Sequence, residues 1–148
     1  MNTKFIKHHI EQNRVDTFIK YTRRYLKRMN IRLEFRNGAT VRTPDGDTAE
    51  GFYCEPEGND KGVIVIAKGK PRREWLTTLG HELGHVNQWL TEDTVWSKGG
   101  IPAERDAENY SQKLIKKFDL PVDSQWHKNE SKKYISFLKE TPYAEDER

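Results

Sequence analysis

Residues 75–90 read WLTTLGHELGHVNQWL, and this segment indicates how the chain folds. Its large apolar side chains recur at helical spacing and fall within one arc of about 100° on a helical projection. They are Trp75, Leu76, Leu79, Leu83, Val86 and Leu90. His81 and His85 lie on nearly the opposite side. The pattern predicts a helix, opened by Pro71, with one face in the core and the other facing a cleft.

The order His-Glu-x-x-His within this helix has a chemical logic. Residues at i and i+4 share one helix face, so His81 and His85 can direct imidazole nitrogens at one ion. Glu82 stands beside them, where a carboxylate can take a proton from metal-bound water. Zinc suits such a set because it leaves one position for water and lowers the pKa of that water to about 7. We therefore predict a Zn²⁺ site with Glu82 as the catalytic base.

A third protein ligand has to come from outside the helix. The histidine that the longer metzincin pattern requires is missing, because Thr91 stands at its position. Carboxylates remain: Glu92 and Asp93 in the following loop, and Glu104, Asp106 and Glu108 in a helix that Pro102 opens and that reaches about Phe118. Glu104 and Glu108 share one flank of this second helix, whereas Asp106 lies on the other.

We favour Glu104 as the metal ligand and Glu108 as the acceptor for an N–H of a ligand imidazole. A pair of surface charges is the first alternative, and exchange of these two roles is the second. Gly80 and Gly84 are unusual in the first helix, where each costs about 1 kcal/mol relative to alanine. Since glycine has no Cβ, we expect another element or the substrate to approach the helix closely there.

The rest of the chain predicts an α+β fold in a single domain that spans residues 1–148. A helix from about Val15 to Met29 precedes strands at Ile31–Arg36, Gly51–Cys54 and Val63–Ala67. Residues 1–12 are expected to be loosely ordered. Residues 121–148 form a C-terminal extension of unassigned role, with a short helix at Ser131–Glu140.

Composition narrows the location and the partners. The formal charge is a mild +3, a single cysteine precludes an internal disulfide, and the first residues lack the apolar region of a signal peptide. No segment is apolar enough to span a bilayer, so we expect a cytoplasmic protein without membrane contact. Basic residues cluster at Arg23, Arg24, Lys27 and Arg28, and again at Lys113, Lys116, Lys117, Lys132 and Lys133. Solvated helix faces explain these clusters, and a surface for nucleic acid or an acidic partner is the alternative.

The two helices together resemble the ImmA/IrrE family of small gluzincin-type peptidases. The matching residues are His81, Glu82 and His85, followed by Glu104, Ala107, Tyr110 and Ser111 in the pattern E-x-x-A-x-x-[FY]-[AS]. Such families often carry a further histidine just after the second ligand, where this chain has Gln88-Trp89. The resemblance implies a minimal zincin-like domain with Zn²⁺ as cofactor. It also implies an intracellular regulator that acts on repressors, often in phages or mobile elements.

The resemblance extends to the strand before the active-site helix. Residues Val63, Ile64, Val65, Ile66 and Ala67 resemble the sheet-edge strand of zincins, along which a peptide substrate pairs as an added strand. In the implied mechanism Glu82 takes a proton from water and later protonates the leaving amine. A further donor for the oxyanion is needed, and the candidates are Tyr110, His127, Tyr53 and Tyr134.

The leading hypothesis is therefore a zinc metallopeptidase that hydrolyses a protein or peptide. The principal alternative is a non-catalytic binding or regulatory protein with the same fold, which could contact nucleic acid through its basic helices. The presence of Glu82 favours the first hypothesis.

Overall fold

The computed structural model describes residues 2–91 and 99–142, which form four helices and a small mixed sheet. The helices are α1 (Thr3–Arg28), α2 (Arg72–Leu90), α3 (Gly100–Lys117) and α4 (Ser124–Lys139). The strands are β1 (Ile31–Arg36), β2 (Val41–Arg42), β3 (Thr48–Ala49), β4 (Gly51–Cys54) and β5 (Gly62–Ala67). The predicted α+β class is confirmed. In these described ranges no helix is long and apolar enough to cross a membrane.

The main sheet has the order β1-β5-β4, so that β5 occupies its centre. Strand β5 runs parallel to β1 and antiparallel to β4, while β2 and β3 form a separate antiparallel pair. Ile64 and Ile66 face the main core, and Val65 and Ala67 face a second cluster with Val41. Burial on both faces explains the continuous apolar run in β5, which is typical of a central strand.

The prediction that Val63–Ala67 is the edge strand is therefore wrong. Both edges of β5 are occupied by ladder hydrogen bonds, whereas β4 pairs with β5 alone among the described strands. Strand β4 also lies beside α2: a Cβ on Gly51 would come 2.9 Å from Cγ2 of Thr78. The sheet edge next to α2 is consequently β4.

Helix α1 begins at Thr3 rather than at Val15, so the prediction that residues 1–12 are loosely ordered is not supported. The side chain of Asn2 caps the helix by accepting a hydrogen bond from the backbone N–H of Lys4. Arg72 holds the next turns by donating to Glu11 at 3.0 Å and to Gln12 at 2.9 Å. These contacts join distant parts of the chain, and sequence periodicity does not report them.

The C-terminal extension contains a full helix rather than the short one predicted from Ser131. Asp123 caps α4 by accepting a hydrogen bond from the backbone N–H of Trp126 at 2.8 Å. Helix α4 packs on α3, and buried Ile135 and Leu138 contact Ile101 there. The extension therefore forms one wall of the structure around α2 and α3.

The predicted apolar face of α2 lies in the main core with α1 and β5. Leu76 and Leu79 are completely buried, as are Phe18 and Leu26 of α1. Burying such a side chain contributes about 1.5–3 kcal/mol each, so this layer holds α2 firmly on the sheet. Leu90 is the exception, being 46% exposed at the end of the helix.

Helices α2 and α3 pack closely at the two unusual glycines. A Cβ on Gly80 would come 2.4 Å from Oγ of Ser111, and a Cβ on Gly84 would come 2.8 Å from Cα of Ala107. The predicted close approach is thus confirmed, and the approaching element is α3. The glycines allow the helix that carries Glu104 to lie against the helix that carries the histidines.

Replacing Gly84 with alanine is expected to lower the free energy of unfolding by about 1–2 kcal/mol. The new methyl would come 2.8 Å from a backbone atom of Ala107, so overpacking of about 2–3 kcal/mol, in the upper part of the usual range, exceeds the gain in helix propensity of about 1 kcal/mol. Urea unfolding measures the change, with Leu90→Ala as an exposed control in the same helix. Unchanged or higher stability of Gly84→Ala would contradict the close packing.

Candidate metal centre

Three side chains from α2 and α3 converge on one point. Nε2 of His81 lies 2.7 Å from Oε2 of Glu104, and Nε2 of His85 lies 3.3 Å from the same oxygen. The two Nε2 atoms are 3.1 Å apart. Among residues 2–91 and 99–142, this is the group of histidine and carboxylate side chains whose geometry could hold a metal ion.

The spacing of these atoms fits a tetrahedral zinc site. Bonds of about 2.0–2.1 Å place the ligand atoms of such a site about 3.3–3.4 Å from one another. Two of the observed separations, 3.1 and 3.3 Å, come close to that value, and the third, 2.7 Å, needs a small outward shift of Glu104. Two imidazoles and one carboxylate are also the donor set of a zinc site that keeps a position open.

Burial and charge distinguish this group from a surface cluster. The side chains of His81, His85 and Glu104 are only 13%, 10% and 14% exposed. Burial disfavours charge on each of them, yet Glu104 and Glu108 raise the pKa of His81 to about 10. The two histidines in turn hold the pKa of Glu104 well below its usual range, against the effect of burial. The negative site therefore favours a bound cation.

Glu82 is buried beside the histidines, with 8% of its surface exposed. Burial raises the pKa of its carboxyl, although His81 and His85 act in the opposite direction. A raised pKa brings a carboxylate closer to the range in which it both accepts and returns a proton near neutral pH. Glu82 lines the same cleft as His81.

Each imidazole has a polar partner on its other nitrogen. Nδ1 of His81 faces Oε1 of Glu108 at 3.7 Å, which is an ion-pair distance but longer than a hydrogen bond. Oε2 of Glu108 accepts a hydrogen bond from Ser131 of α4 at 3.2 Å. The predicted partner therefore lies on the expected side of His81, held by a helix that the sequence left without a role.

The partner of His85 was not predicted from the sequence. Oε1 of Gln88 lies 3.0 Å from Nδ1 of His85, and the amide nitrogen of Gln88 donates to Asp106 and to the backbone of Ala103. In the sequence, Gln88 is only part of a departure from the pattern that the chain resembles, and Asp106 lies on the flank of α3 away from Glu104 and Glu108. Only the packing of α2 against α3 reveals that these residues meet.

His81 of this group and the neighbouring Glu82 line a cleft of about 420 Å³ between β4, α2 and α4. Ala49, Glu50 and Gly51 line it on the sheet side, and Trp126, His127, Ser131 and Tyr134 line it from α4. The other lining residues are Glu74, Thr77, Thr78, His81 and Glu82 of α2, Glu108 of α3 and Glu130 of α4. The C-terminal helix thus completes the cleft.

The four candidate oxyanion donors differ in their position relative to the cleft. Tyr134 lies over His81 and donates a hydrogen bond from its hydroxyl to Oε2 of Glu104 at 3.2 Å. Burial and the charge of Glu104 raise the pKa of Tyr134, which keeps the hydroxyl protonated. His127 lines the cleft and contacts Ser111 at 3.4 Å. Tyr110 and Tyr53 pack against the main core and do not line the cleft.

The remaining predicted residues include two loop carboxylates and the first basic cluster. Glu92 and Asp93 lie outside the residues that the structure describes. Arg23 in the first basic cluster donates to the backbone oxygen of Leu33 at 2.8 Å and lies over the ring of Phe35. That arginine therefore has structural contacts of its own at the junction of α1 and β1.

The pKa shifts predict how zinc binding depends on pH. In the zinc-free protein the charged His81 stabilises the fold fully below pH 6.5, and this stabilisation is lost as the pH rises through about 10. The lowered pKa of Glu104 adds stability above pH 4.5, which is lost as the pH falls further. A zinc ion bound by this group would displace the proton from His81, so we expect its affinity to increase from pH 6.5 towards pH 10.

Calorimetry in buffers of different ionisation enthalpy measures the protons released on zinc binding. Competition with a chelator at each pH gives the affinity. An affinity that stays constant over this pH range, with no proton release, would contradict the His81–Glu104 ion pair. A variant of the exposed His8, which is remote in sequence from the centre, serves as the control and should retain the pH dependence of the wild type.

No family model matches this sequence, and comparisons with curated proteins and with solved structures found no match. Function is therefore inferred from the residues and the geometry described above.

Proposed function

We propose that this protein is a zinc-dependent metallopeptidase of the gluzincin type with a minimal zincin-like fold. The observation that carries the proposal is the convergence of His81, His85 and Glu104 on one point, with Glu82 beside them in an open cleft. Zinc sites with catalytic roles have three protein ligands and an accessible fourth position, and this cleft supports that arrangement.

Bound zinc would supply a Lewis acid that acidifies water and polarises a carbonyl group. The protein supplies the proton transfers. Glu82 is the buried base that takes a proton from the attacking water and returns it to the nitrogen of the leaving amine. Tyr134 lines the cleft with a protonated hydroxyl whose one hydrogen is donated to Glu104, and turning that hydrogen away from Glu104 would let Tyr134 donate to the oxygen of the scissile carbonyl.

The cleft suits an extended peptide. Strand β4 is an edge of the main sheet, and Gly51 at its start lines the cleft. A peptide can add to such an edge through backbone hydrogen bonds, with its side chains directed alternately into and out of the cleft. We therefore propose that β4, and not Val63–Ala67, is the edge along which the substrate pairs.

The resemblance to ImmA/IrrE peptidases supports an intracellular regulatory role with a protein substrate. Among the residues that carry the resemblance, Glu104 lies 2.7 Å from Nε2 of His81, and Ala107 and Ser111 face the glycines of α2. A peptidase that acts on one regulator needs a selective cleft rather than high general activity.

The test is zinc content together with cleavage of a proteome-derived peptide library. We expect about one zinc per chain by mass spectrometry and new peptide termini that a chelator suppresses and added zinc restores. A library is needed because a single generic protein substrate samples few sequences. A wild-type protein that binds no zinc when zinc is supplied would overturn the proposal. Bound zinc without any cleavage would favour the non-catalytic regulatory alternative.

A further inference from the structure

Gln88 is a buried polar side chain between α2 and α3 with every amide atom in use. It is only 1% exposed. Its Oε1 lies 3.0 Å from Nδ1 of His85, and its Nε2 lies 2.9 Å from the backbone oxygen of Ala103 and 2.7 Å from Oδ2 of Asp106. A glutamine in a merely space-filling role would not need three polar contacts of this quality.

The contacts determine which way the amide points. The backbone oxygen of Ala103 and the carboxylate of Asp106 only accept hydrogen bonds, so the atom of Gln88 that faces both must be the NH₂ group. The opposite orientation would place an amide oxygen against two acceptors at 2.9 and 2.7 Å. The Gln88 oxygen therefore faces His85 and acts as an acceptor.

An acceptor at this position determines which ring nitrogen of His85 carries a hydrogen. Nδ1 must carry a hydrogen to donate to Gln88, and in a neutral imidazole the lone pair then lies on Nε2. Nε2 is the atom that faces His81 and Glu104. We propose that Gln88, itself held by Asp106, is a positioning residue that fixes the metal-binding tautomer of His85. The inference rests on the proposed metal-ligand role of His85.

The same amide also sets the distance between the two ligand-bearing helices. Ala103 directly precedes Glu104, so the hydrogen bond from Gln88 to its backbone oxygen ties the start of α3 to α2. A single side chain thereby orients one ligand and places the backbone of another. Partners of this kind change metal affinity by about 10–100-fold when they are removed.

Gln88→Met is the first variant to examine, because methionine preserves the length of the side chain and removes its hydrogen bonds. We expect zinc affinity, measured by chelator competition, to fall by about 10–100-fold. Ile115→Val, a buried change in α3 away from the polar contacts, is the control for a general loss of packing. Equal zinc affinity in Gln88→Met and the wild type would overturn the proposal.

Exchanging the amide and the carboxylate between positions 88 and 106 guards against a variant that is simply misfolded. Gln88→Glu retains an acceptor for His85 but turns a carboxylate oxygen towards Asp106 and Ala103, so zinc affinity should fall. Adding Asp106→Asn supplies an N–H towards the new carboxylate, and it should restore part of the affinity. Asp106→Asn alone should have a small effect, because the asparagine oxygen can still accept from Gln88. Identical affinities in Gln88→Glu with and without Asp106→Asn would contradict the positioning role.

The hydrogen bond itself can be observed by NMR. The Nδ1–H of His85 should give a slowly exchanging resonance in the wild type, with or without zinc, and this resonance should be lost in Gln88→Met but kept in Ile115→Val. This measurement distinguishes failure of the proposed zinc site from failure of the proposed role of Gln88. A wild type that binds no zinc but shows the protected Nδ1–H would refute the proposed function alone, whereas unprotected Nδ1–H in a zinc-binding wild type would refute the role of Gln88 alone.

Discussion

Replacing Glu82 with glutamine is expected to abolish detectable peptide hydrolysis while leaving zinc bound. Glutamine keeps the shape of the side chain but cannot accept and return a proton, and positioned acid–base groups contribute about 10²–10⁴-fold to rates. Zinc should be retained because the proposed ligand atoms belong to His81, His85 and Glu104. The rate constant for cleavage of a library-derived peptide and the zinc content together measure the effect.

Glu74→Gln is a matched control, since Glu74 is a carboxylate of the same helix and lines the same cleft. Its substitution should lower the rate far less, because its position in the first turn of α2 is remote from the histidines. Two further results would be informative. Full activity in Glu82→Gln would assign the proton transfer to another group, and loss of zinc would show that Glu82 supports the metal centre structurally.

Replacing any one of the three proposed ligands with alanine is expected to remove most of the bound zinc. His81→Ala, His85→Ala and Glu104→Ala each leave two ligand atoms, and zinc sites in proteins generally need at least three. The loss of zinc binding should also remove the stabilisation that zinc gives to the folded protein. A ligand that binds only the folded state raises the free energy of unfolding by RT ln(1 + [L]/Kd). Added zinc should raise the melting temperature of the wild type and leave that of these variants nearly unchanged.

Glu108→Ala is the informative comparison for Glu104→Ala. The carboxylate of Glu108 lies one helical turn away and 3.7 Å from Nδ1 of His81, on the side away from the ligand atoms. We expect this variant to keep zinc with reduced affinity, since it loses only the partner of a ligand. If Glu108→Ala lost zinc and Glu104→Ala retained it, the two glutamates would have exchanged roles, and the assignment of the third ligand would be wrong.

The errors of the sequence-based prediction have a common physical origin. The apolar run Val63–Ala67 predicts a strand correctly, but the same run is compatible with an edge or with a centre that is buried on both faces. The neighbours of β5 come from residues 31–36 and 51–54, and pairing between separate segments is not encoded in the periodicity of one of them. Residues 3–12 show the same effect, because the contacts of Arg72 with α1 cross a large separation in sequence.

The residues of the candidate site also fall into two groups, those that local periodicity predicts and those that only the packing of helices brings together. Helical periodicity alone places His81 and His85 on one face of α2 and Glu104 on a flank of the next helix, because i, i+4 geometry is a local property of the backbone. The glycines signalled a close neighbour for the same local reason. Their partner, α3, and the wall formed by α4 depend on how the helices pack. The selection of Tyr134 over Tyr110 also follows from packing, since only Tyr134 faces the cleft.

The His-Glu-x-x-His motif and the α+β class thus follow from residue type and spacing, which also favour Glu104 over Glu108 as a ligand without excluding an exchange of their roles. Gln88 and Asp106 are different, because a glutamine and an aspartate on separate helices carry no mutual signal in the sequence. Their roles arise only when α2 and α3 bury them together, since a buried amide must satisfy all of its hydrogen-bonding groups. Local geometry therefore predicts the groups that would bind the metal, and tertiary packing selects the groups that orient them.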